Sequence, residues 1–294
     1  MTHHRRCSGI PHPRSALVLA AIAASLITSA CGASGGPSAA GPHPASGGAT
    51  PLASTRPAAA HSTGPAGGTA PAAAGPLAGK IVGVDPGHNG RNYTDPAYIN
   101  HLIWNGREWE TCNTTGTETD SGYTEARFNF RVALFLRADL RRDGARVVMT
   151  RTNNHGVGPC VNRRARIIDR AHANVAIDIH ADGGPPGGRG FAVLEPVSDG
   201  PNDKVIGSSE RFGRDVRRAL LAGTSMPEST YDGVHGIEPR DNLAGLNLTS
   251  VPEVLIECGN MRNATDARLL TSARFQRRIA RALEAAIIRF LGQQ

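Results

Sequence analysis

The sequence predicts an α/β fold in which a mostly parallel central sheet carries helices on both faces and forms a single catalytic domain. Three short runs, at residues 80–85, 175–180 and 252–257, are rich in apolar residues. Runs of this kind are typical of parallel strands that are buried on both faces. Longer segments with apolar residues at a spacing of four separate these runs, which indicates helices that pack one side against the sheet.

In chain order, we expect strands at 80–85, 146–150, 175–180, 190–194 and 252–257, and helices at 123–142, 160–173, 205–221 and 272–291. The first helix carries one apolar stripe and ends at Gly144; the stripe consists of Phe128, Val132, Leu136 and Leu140. In the second helix we expect three arginines to face outward: Arg163, Arg164 and Arg166.

A long polar loop spans residues 87–122. Because it contains Trp104, Trp109 and Cys112, we expect packing and a covalent bridge to hold it in place.

The first 79 residues contain no acidic residue and differ in composition from the rest of the chain. Residues 1–30 have the pattern of a secretory signal peptide: basic residues, then an apolar run from Ala16 to Ile27, then small residues. Residues 31–79 consist mostly of Ala, Gly, Pro, Ser and Thr, so we expect a disordered tether. The catalytic domain is then predicted to span residues 80–294.

Cys31 directly follows the small residues at the end of the predicted signal peptide. Its position is compatible with lipid attachment, which would tether the exported protein to the membrane. However, Thr28 stands where a lipid-attachment site usually carries Leu. Ordinary cleavage and release is therefore the alternative to lipidation.

The formal net charge of +7 does not indicate a nucleic-acid partner. Four of the basic residues, Arg5, Arg6, Arg14 and Arg56, precede the predicted domain, which leaves 28 basic against 25 acidic residues from Lys80 onward. Aromatic residues are also few, at 4% of the chain. We therefore expect no nucleic-acid binding.

Four acid or imidazole side chains stand at the ends of predicted elements. His88, His180 and Glu257 lie at or just past the ends of predicted strands, and Glu125 lies in the first turn of a helix. Strand ends of an open α/β sheet are where side chains leave the packed layer and converge. Two histidines and one glutamate suit Zn²⁺ with an open fourth position, and a second glutamate is left over as a base.

Three of these residues also have a simpler interpretation. His88 could be a loop histidine without a role, and Glu125 could serve only the helix dipole. Glu257 could form an ion pair with an arginine such as Arg240.

The motifs around these residues resemble the zinc N-acetylmuramoyl-L-alanine amidases, which act on peptidoglycan. The resemblance runs in order from Lys80 to Phe290 and rests on D-P-G-H, S-G-Y-T-E, H-A-D and V-P-E-V-L-I-E-C-G-N. It is closest to short actinobacterial-type members without an added wall-binding domain.

This resemblance implies one Zn²⁺ per chain, held by His88, Glu125 and His180, with Glu257 as the general base. It also implies peptidoglycan and muropeptides as substrates, and an exported, monomeric enzyme of the cell envelope. Family members often carry an occluding helix after the strand that bears the second histidine. Because residues 181–202 are short and rich in Gly and Pro, we expect an open cleft instead.

Four further residues are candidates for supporting or substrate-binding roles. Asp85 would orient His88, or would simply be a polar group at a strand end. Arg189 and Arg240 lie in predicted loops near the site and would contact peptide carboxylates. Asn260 lies where the chain departs from the usual family pattern after Glu257, and it is a candidate for substrate contact.

The cysteines are interpreted in the light of the predicted export. Cys112 and Cys160 both lie in loops, so in an oxidising compartment they are expected to form a disulfide. Cys258 continues an apolar strand and is expected to be a small buried hydrophobic residue.

Two other functions remain open at this point: a zinc peptidase or deacetylase acting elsewhere on the wall, and a non-catalytic wall-binding module. Retention of Glu257 argues against the second of these.

Overall fold

The computed structural model of the protein describes residues 75–293. The strands are β1 (Ile81–Pro86), β2 (Leu102–Trp104), β3 (Trp109–Thr111), β4 (Arg146–Met149), β5 (Val175–Asp182), β6 (Ala192–Pro196), β7 (Ile237–Arg240) and β8 (Glu253–Asn260). The helices are α1 (Pro96–Ile99), α2 (Glu125–Arg142), α3 (Val161–Arg170), α4 (Ile206–Gly223), α5 (Ala244–Leu248), α6 (Ala264–Leu270) and α7 (Ala273–Leu291).

Six of the strands form one sheet in the order β4-β1-β5-β8-β6-β7, and β2 and β3 form a separate antiparallel hairpin. Strands β4, β1, β5 and β8 are parallel to one another. Strand β6 runs antiparallel to β8, and β7 pairs parallel with β6. The predicted mostly parallel sheet is confirmed, with two reversed strands at one edge.

Helices cover both faces of this sheet, as the sequence predicted. On one face, α2, α4 and α7 contribute Phe128, Phe212 and Leu283 to the main core, which also contains Val84 and Ile177 of the sheet. On the other face, Ile168 of α3 packs with Ala176, and Leu246 of α5 packs with Leu255. Side chains alternate along a strand, so Asp178, His180 and Glu257 face the side of α3 and α5.

The folded domain begins before the predicted boundary at residue 80. Residues 75–79 form a turn in which Leu77 is fully buried and its amide donates to the carbonyl oxygen of Asp143. These five residues, which the sequence analysis assigned to the tether, therefore pack against the domain. The predicted signal peptide, Cys31 and the tether up to residue 74 lie outside the described residues.

Two expectations about side chains were wrong. Arg164 of α3 is only 2% exposed and does not face outward. Trp104 and Trp109 are exposed, so they do not hold the long loop in place by packing; Ile103 is the buried member of the hairpin.

The sequence also did not predict β7, α5 or α6. Within residues 75–293, no helix is both long and apolar enough to cross a membrane.

Candidate metal centre

His88, Glu125 and His180 meet at the carboxyl ends of β1 and β5. His88 Nε2 lies 3.1 Å from Glu125 Oε2, and His180 Nδ1 lies 2.8 Å from Glu125 Oε1. One ligand atom from each residue lies within 4.8 Å of the others. Ligands of a tetrahedral zinc ion, each about 2 Å from the metal, are about 3.3 Å apart. The three side chains therefore fit a zinc ion with little rearrangement.

The outer nitrogen of each histidine ring has an acceptor of its own. His88 Nδ1 lies 3.1 Å from the carbonyl oxygen of Thr114, and His180 Nε2 lies 3.3 Å from Asp178 Oδ1. A proton held on the outer nitrogen leaves the lone pair on the inner nitrogen, which is the tautomer that a metal requires. The second distance is long for a hydrogen bond, so Asp178 acts on His180 mainly through its charge.

The turn that carries His88 is fixed by two buried arginines. Arg151 Nε donates to the carbonyl oxygen of Pro86 at 2.7 Å, and Arg164 Nη2 donates to that of His88 at 2.5 Å. His88 itself has a φ of 58°, in the left-handed region that non-glycine residues rarely occupy. These bonds to the carbonyl groups help hold it in that conformation.

Asp85 has a different role from the one expected. Its carboxylate accepts hydrogen bonds from Arg164 and from the Thr150 hydroxyl, rather than from the His88 ring. Asp85 therefore supports His88 indirectly, by neutralising and orienting the arginine that binds the His88 carbonyl group. Asp178 is the aspartate that lies against a ring of the cluster.

Two glycines allow the backbone to approach this cluster closely. A Cβ atom on Gly87 would lie 2.1 Å from His180 Nε2, and one on Gly116 would lie 2.6 Å from Glu125 Oε2. Gly116 also has a φ of +74°. Any side chain at these two positions would displace the predicted ligands.

The electrostatics of the cluster favour a bound positive charge. Burial alone would raise the pKa of Glu125, but the charges and hydrogen bonds of His88 and His180 outweigh it and hold the pKa well below its usual range. Burial opposes protonation of His180, yet Asp178 and Glu125 raise its pKa well above the ordinary value. A cation bound at this position would take the place of the proton that Glu125 and Asp178 otherwise stabilise on His180.

Glu257 lies beside the cluster of His88, Glu125 and His180 but takes part in none of the hydrogen bonds described above. It is paired in register with His180 on the neighbouring strand, and its Oε2 atom is buried without a hydrogen-bond partner among the described residues. Burial raises the pKa of Glu257 well above the ordinary value; His180 opposes this shift, and nearby carboxylates such as Glu125 increase it. A carboxylate in this state readily accepts a proton.

The cluster opens into a cleft of about 490 Å³ that is lined by His88, Glu125, His180 and Glu257. Arg240 also lines this cleft, and its guanidinium group lies 3.5 Å from Glu238 rather than against Glu257. Residues 183–191, which connect β5 to β6, contain no helix. The expected open cleft is therefore present.

The other two substrate candidates are engaged within the protein. Arg189 forms an ion pair with the fully buried Asp266, at 3.1 Å. Asn260 is itself fully buried, and its amide donates to the carbonyl oxygens of Pro185 and Gly188 at 2.8 and 2.9 Å. Asn260 cannot contact a substrate in this position, so its observed role is to hold the loop after β5.

Cys112 and Cys160 form the expected disulfide. Cys258 is free and buried, also as expected. His101 lies near the bridge, but sulfur atoms in a disulfide are not metal ligands, so that group is not a metal site.

Three residues that support the site were not predicted from the sequence. Thr114 and Asp178 contact the histidine rings, and Tyr231 donates its hydroxyl to Asp182 at 2.8 Å, next to Glu257. Asp178 had a detectable signal, since it is the only polar residue in its strand before His180. Thr114 and Tyr231 come from long irregular segments, where sequence patterns give no register.

The part of the chain that contains these residues matches a known family. A family model described as N-acetylmuramoyl-L-alanine amidase matches residues 82–289, well over half of the chain. The chain belongs to the N-acetylmuramoyl-L-alanine amidase family. The family resemblance seen in the sequence motifs is thereby confirmed.

Relatives in this amidase family are similar over most of their length. An N-acetylmuramoyl-L-alanine amidase of Mycobacterium tuberculosis is 39% identical over 220 residues, which cover 74% of this chain and 89% of that protein. The crystal structure of the amidase Ami1 from Mycobacterium smegmatis is 41% identical, with a TM-score of 0.70, and the match covers 74% of this chain and 99% of Ami1. Ami1 from Mycobacterium abscessus gives 40% identity and a TM-score of 0.69, covering 73% of this chain and all of that one (100%).

Proposed function

We propose that this amidase is zinc-dependent and hydrolyses the amide bond between N-acetylmuramic acid and L-alanine in peptidoglycan. The observation that carries the proposal is the arrangement of Glu125: the inner nitrogens of two histidines face its two oxygens, 3.1 and 2.8 Å away. Glu257 stands next to this arrangement, and its Oε2 atom has no hydrogen-bond partner within residues 75–293. The proposed physiological role is remodelling of the cell wall or separation of daughter cells.

In this proposal, His88, Glu125 and His180 hold one zinc ion per chain. When bound, zinc supplies Lewis acidity, which makes water more acidic and polarises a carbonyl group. Thr114 and Asp178 keep the two imidazoles in the orientation that the ion needs. The buried arginines Arg151 and Arg164 keep the His88 turn in place.

Glu257 moves the proton. It accepts a proton from the attacking water and passes it to the departing L-alanine nitrogen, which would otherwise leave as an unstable anion. Its position suits this transfer, because Glu257 Oε2 is buried beside the cluster without a hydrogen-bond partner among the described residues. Arg240, at the rim of the same cleft, is proposed to contact a carboxylate of the stem peptide.

The proposed location follows from the N-terminal sequence and from the substrate. A signal peptide at residues 1–30 would export the chain to the cell envelope, where peptidoglycan lies. Lipidation of Cys31 would tether it to the membrane, and residues 32–74 would then connect the anchor to the catalytic domain. We propose that the protein acts as a monomer.

Mass spectrometry of a peptidoglycan digest tests this function. The amidase proposal predicts release of whole stem peptides with a free L-alanine amino group, loss of release with a chelator, and recovery on addition of Zn²⁺. A peptidase would release shortened peptides, and a deacetylase would release acetate. Binding to the wall without any released product would indicate a non-catalytic module and would contradict the proposal.

A further inference from the structure

The β2–β3 hairpin exposes an aromatic surface that the proposed mechanism does not use. The chain has two tryptophans, and both are on this hairpin, where Trp104 is 46% and Trp109 is 65% exposed. They pair directly across the two strands, with ring centroids 5.7 Å apart. Leu102, on the same face, is 59% exposed. Large apolar side chains grouped in solvent commonly mark a binding surface.

The hairpin that presents the tryptophans is firmly held from its other side. Ile103 is buried with the Cys112–Cys160 pair, and Glu110 accepts a hydrogen bond from the amide of Ala244 at 3.3 Å. The turn is closed by the fully buried Asn105, whose side chain accepts from two backbone amides. The tryptophans therefore stand on a rigid support, which lowers the entropy lost when a ligand binds.

The same hairpin continues into the metal centre. Glu110 and Thr111 of β3 line a cavity of about 170 Å³ together with His88 and His180. Three residues beyond Thr111, the carbonyl oxygen of Thr114 lies against the His88 ring. The five residue steps from Trp109 to Thr114 span at most about 18 Å of extended chain. A polymeric substrate bound at the cluster is therefore within reach of the tryptophans.

The geometry points to a sugar-binding platform: Trp104 and Trp109 stack against the glycan strand of peptidoglycan beside the amide bond that is cleaved. This inference rests on the proposed function, because it takes the substrate to be a glycan that carries peptides. One face of a pyranose ring is made of C–H groups, which pack against the electron-rich face of an indole. The hydroxyl groups at the ring edge remain in water or reach polar side chains.

The charges around the platform favour an uncharged sugar over a lipid surface. Arg107 is the basic residue at the hairpin tip, and three carboxylates lie close to it: Glu108 is adjacent in the turn, and Asp199 and Asp241 lie 3.8 and 3.2 Å from its guanidinium group. One positive and three negative charges give a local balance of −2. An anionic membrane surface attracts clusters of Lys and Arg and repels a patch of this kind.

Intrinsic fluorescence provides a direct test on the unmodified protein. Because both tryptophans of the chain lie on the hairpin, their emission reports on this surface alone. We expect a saturable change in emission when N-acetylglucosamine oligosaccharides, which are uncharged and share the acetamido-sugar backbone of the glycan strand, are titrated in. These oligosaccharides contain no scissile amide bond, so binding is measured even if the proposed hydrolysis does not occur. An unchanged emission spectrum at millimolar glycan would overturn the platform.

Kinetics separate sugar binding from a structural role. In the double variant Trp104→Ala/Trp109→Ala, we expect KM for polymeric peptidoglycan to rise about tenfold, while kcat/KM for a single N-acetylmuramoyl-peptide stays unchanged. Leu221→Ala is the matched control, because it removes an exposed apolar side chain from α4, away from the hairpin, and should leave both values unchanged. Trp104→Phe/Trp109→Phe should retain most of the polymer binding.

Three results would contradict the platform: equal losses on both substrates, no loss on either, or a loss only of binding to vesicles of anionic phospholipid. An unmodified protein that binds glycan but releases peptide from neither substrate would instead overturn the proposed function and leave the platform standing.

Discussion

Two polar regions stand at the end of strand β8 and differ in how fully their hydrogen-bonding groups are used. Glu257 belongs to the metal-centre side, where its Oε2 atom is buried without a partner among the described residues. Asn260 belongs to the loop-anchoring side, where its side chain donates to two carbonyl oxygens and accepts from the amide of Arg262. Only three positions separate these residues.

The two regions show that a buried polar side chain near a strand end can belong either to the candidate site or to the structure that supports it. Asp266 has its carboxylate occupied by the amides of Gly190 and Asn260 and by the Arg189 side chain. Glu125 also accepts a hydrogen bond from the Thr117 amide, but its two oxygens in addition face the inner ring nitrogens of His88 and His180, which could bind a cation together with it. Buried polar groups are normally satisfied within the protein. Those that are left unsatisfied and converge on one point are the candidates for chemistry.

The largest effect is expected from Glu257→Gln. The change keeps the shape of the side chain but removes the proton acceptor, so turnover should fall at least about a thousandfold. Zinc content should remain near one ion per chain, because Glu257 is not among the three facing ligands. Activity on peptidoglycan and metal analysis of the same preparation measure both quantities.

His180→Ala is the matched variant for Glu257→Gln, since the two residues are neighbours in register on β5 and β8. It should lose both zinc and turnover. If Glu257→Gln kept a tenth of the original turnover, or lost zinc as His180→Ala does, the assignment of Glu257 as the base would be wrong.

The next effect concerns the disulfide that supports the metal-centre side. The bridge closes a loop of 48 residues, and replacing Cys112 and Cys160 by serine should lower the free energy of unfolding by about 3 to 4 kcal/mol. Activity should fall in part, because Thr114, which contacts the His88 ring, lies two residues after Cys112.

Denaturant unfolding measures this loss, and Cys258→Ala serves as the control because Cys258 forms no bridge. Free, alkylatable Cys112 and Cys160 in the non-reduced protein would contradict the prediction.

Much of the metal-centre side could be predicted from sequence, because its residues stand at the ends of strongly patterned elements. His88 follows β1, His180 and Glu257 lie near the ends of β5 and β8 directly after apolar runs, and Glu125 opens a helix with a clear apolar stripe. The parallel arrangement then requires the ends of β1, β5 and β8 to meet at one edge of the sheet.

The supporting contacts could not be predicted in the same way, because they depend on long-range packing. Arg164 was expected to face outward, yet it is buried against Asp85. Its spacing of four from the buried Ile168 was the available signal, and the general exposure of arginine outweighed it. Arg189 and Asn260 resembled substrate residues because their partners, Asp266 and the loop after β5, are not recognisable in the sequence.

A smaller effect is expected on the loop-anchoring side, from Asp266→Ala. Removing this carboxylate leaves the amides of Gly190 and Asn260 and the Arg189 guanidinium without their acceptor. Unfolding free energy should fall by about 3 kcal/mol. Turnover per folded molecule should stay within about threefold of the original, because Asp266 does not line the cleft.

Thermal unfolding and activity at a temperature where the variant is folded check the two parts of this prediction. Asp139→Ala is a suitable control: its carboxylate pairs at the surface with the exposed Arg142, and such pairs contribute little. A loss of turnover in Asp266→Ala as large as that of Glu257→Gln would remove the distinction between the two regions.

The smallest effect is expected from a change at Glu195, which tests whether the lack of a hydrogen-bond partner is enough to mark a carboxylate as functional. Glu195 on β6 is 8% exposed, and its Oε1 atom also lacks a partner among the described residues, but it faces α4 rather than the cleft. Burial raises the pKa of Glu195 to about 7, repulsion from Glu210 adds to the shift, and Arg214 opposes it. The unfolded chain ionises near its ordinary pKa, so the folded state holds this proton more tightly. Stability is therefore lost as the pH rises towards and through about 7.

Glu195→Gln removes this titration. At pH 8 the variant should be more stable than the original by about 1 kcal/mol, a value reduced for partial screening by solvent, and at pH 4 the two should be equal. Turnover at pH 7 should not change, because Glu195 faces α4 and lies away from the cleft and from His88, Glu125 and His180. Thermal unfolding across this pH range provides the measurement. A variant that was less stable at pH 8, or that lost activity, would show that Glu195 has a partner or a role beyond its burial against α4.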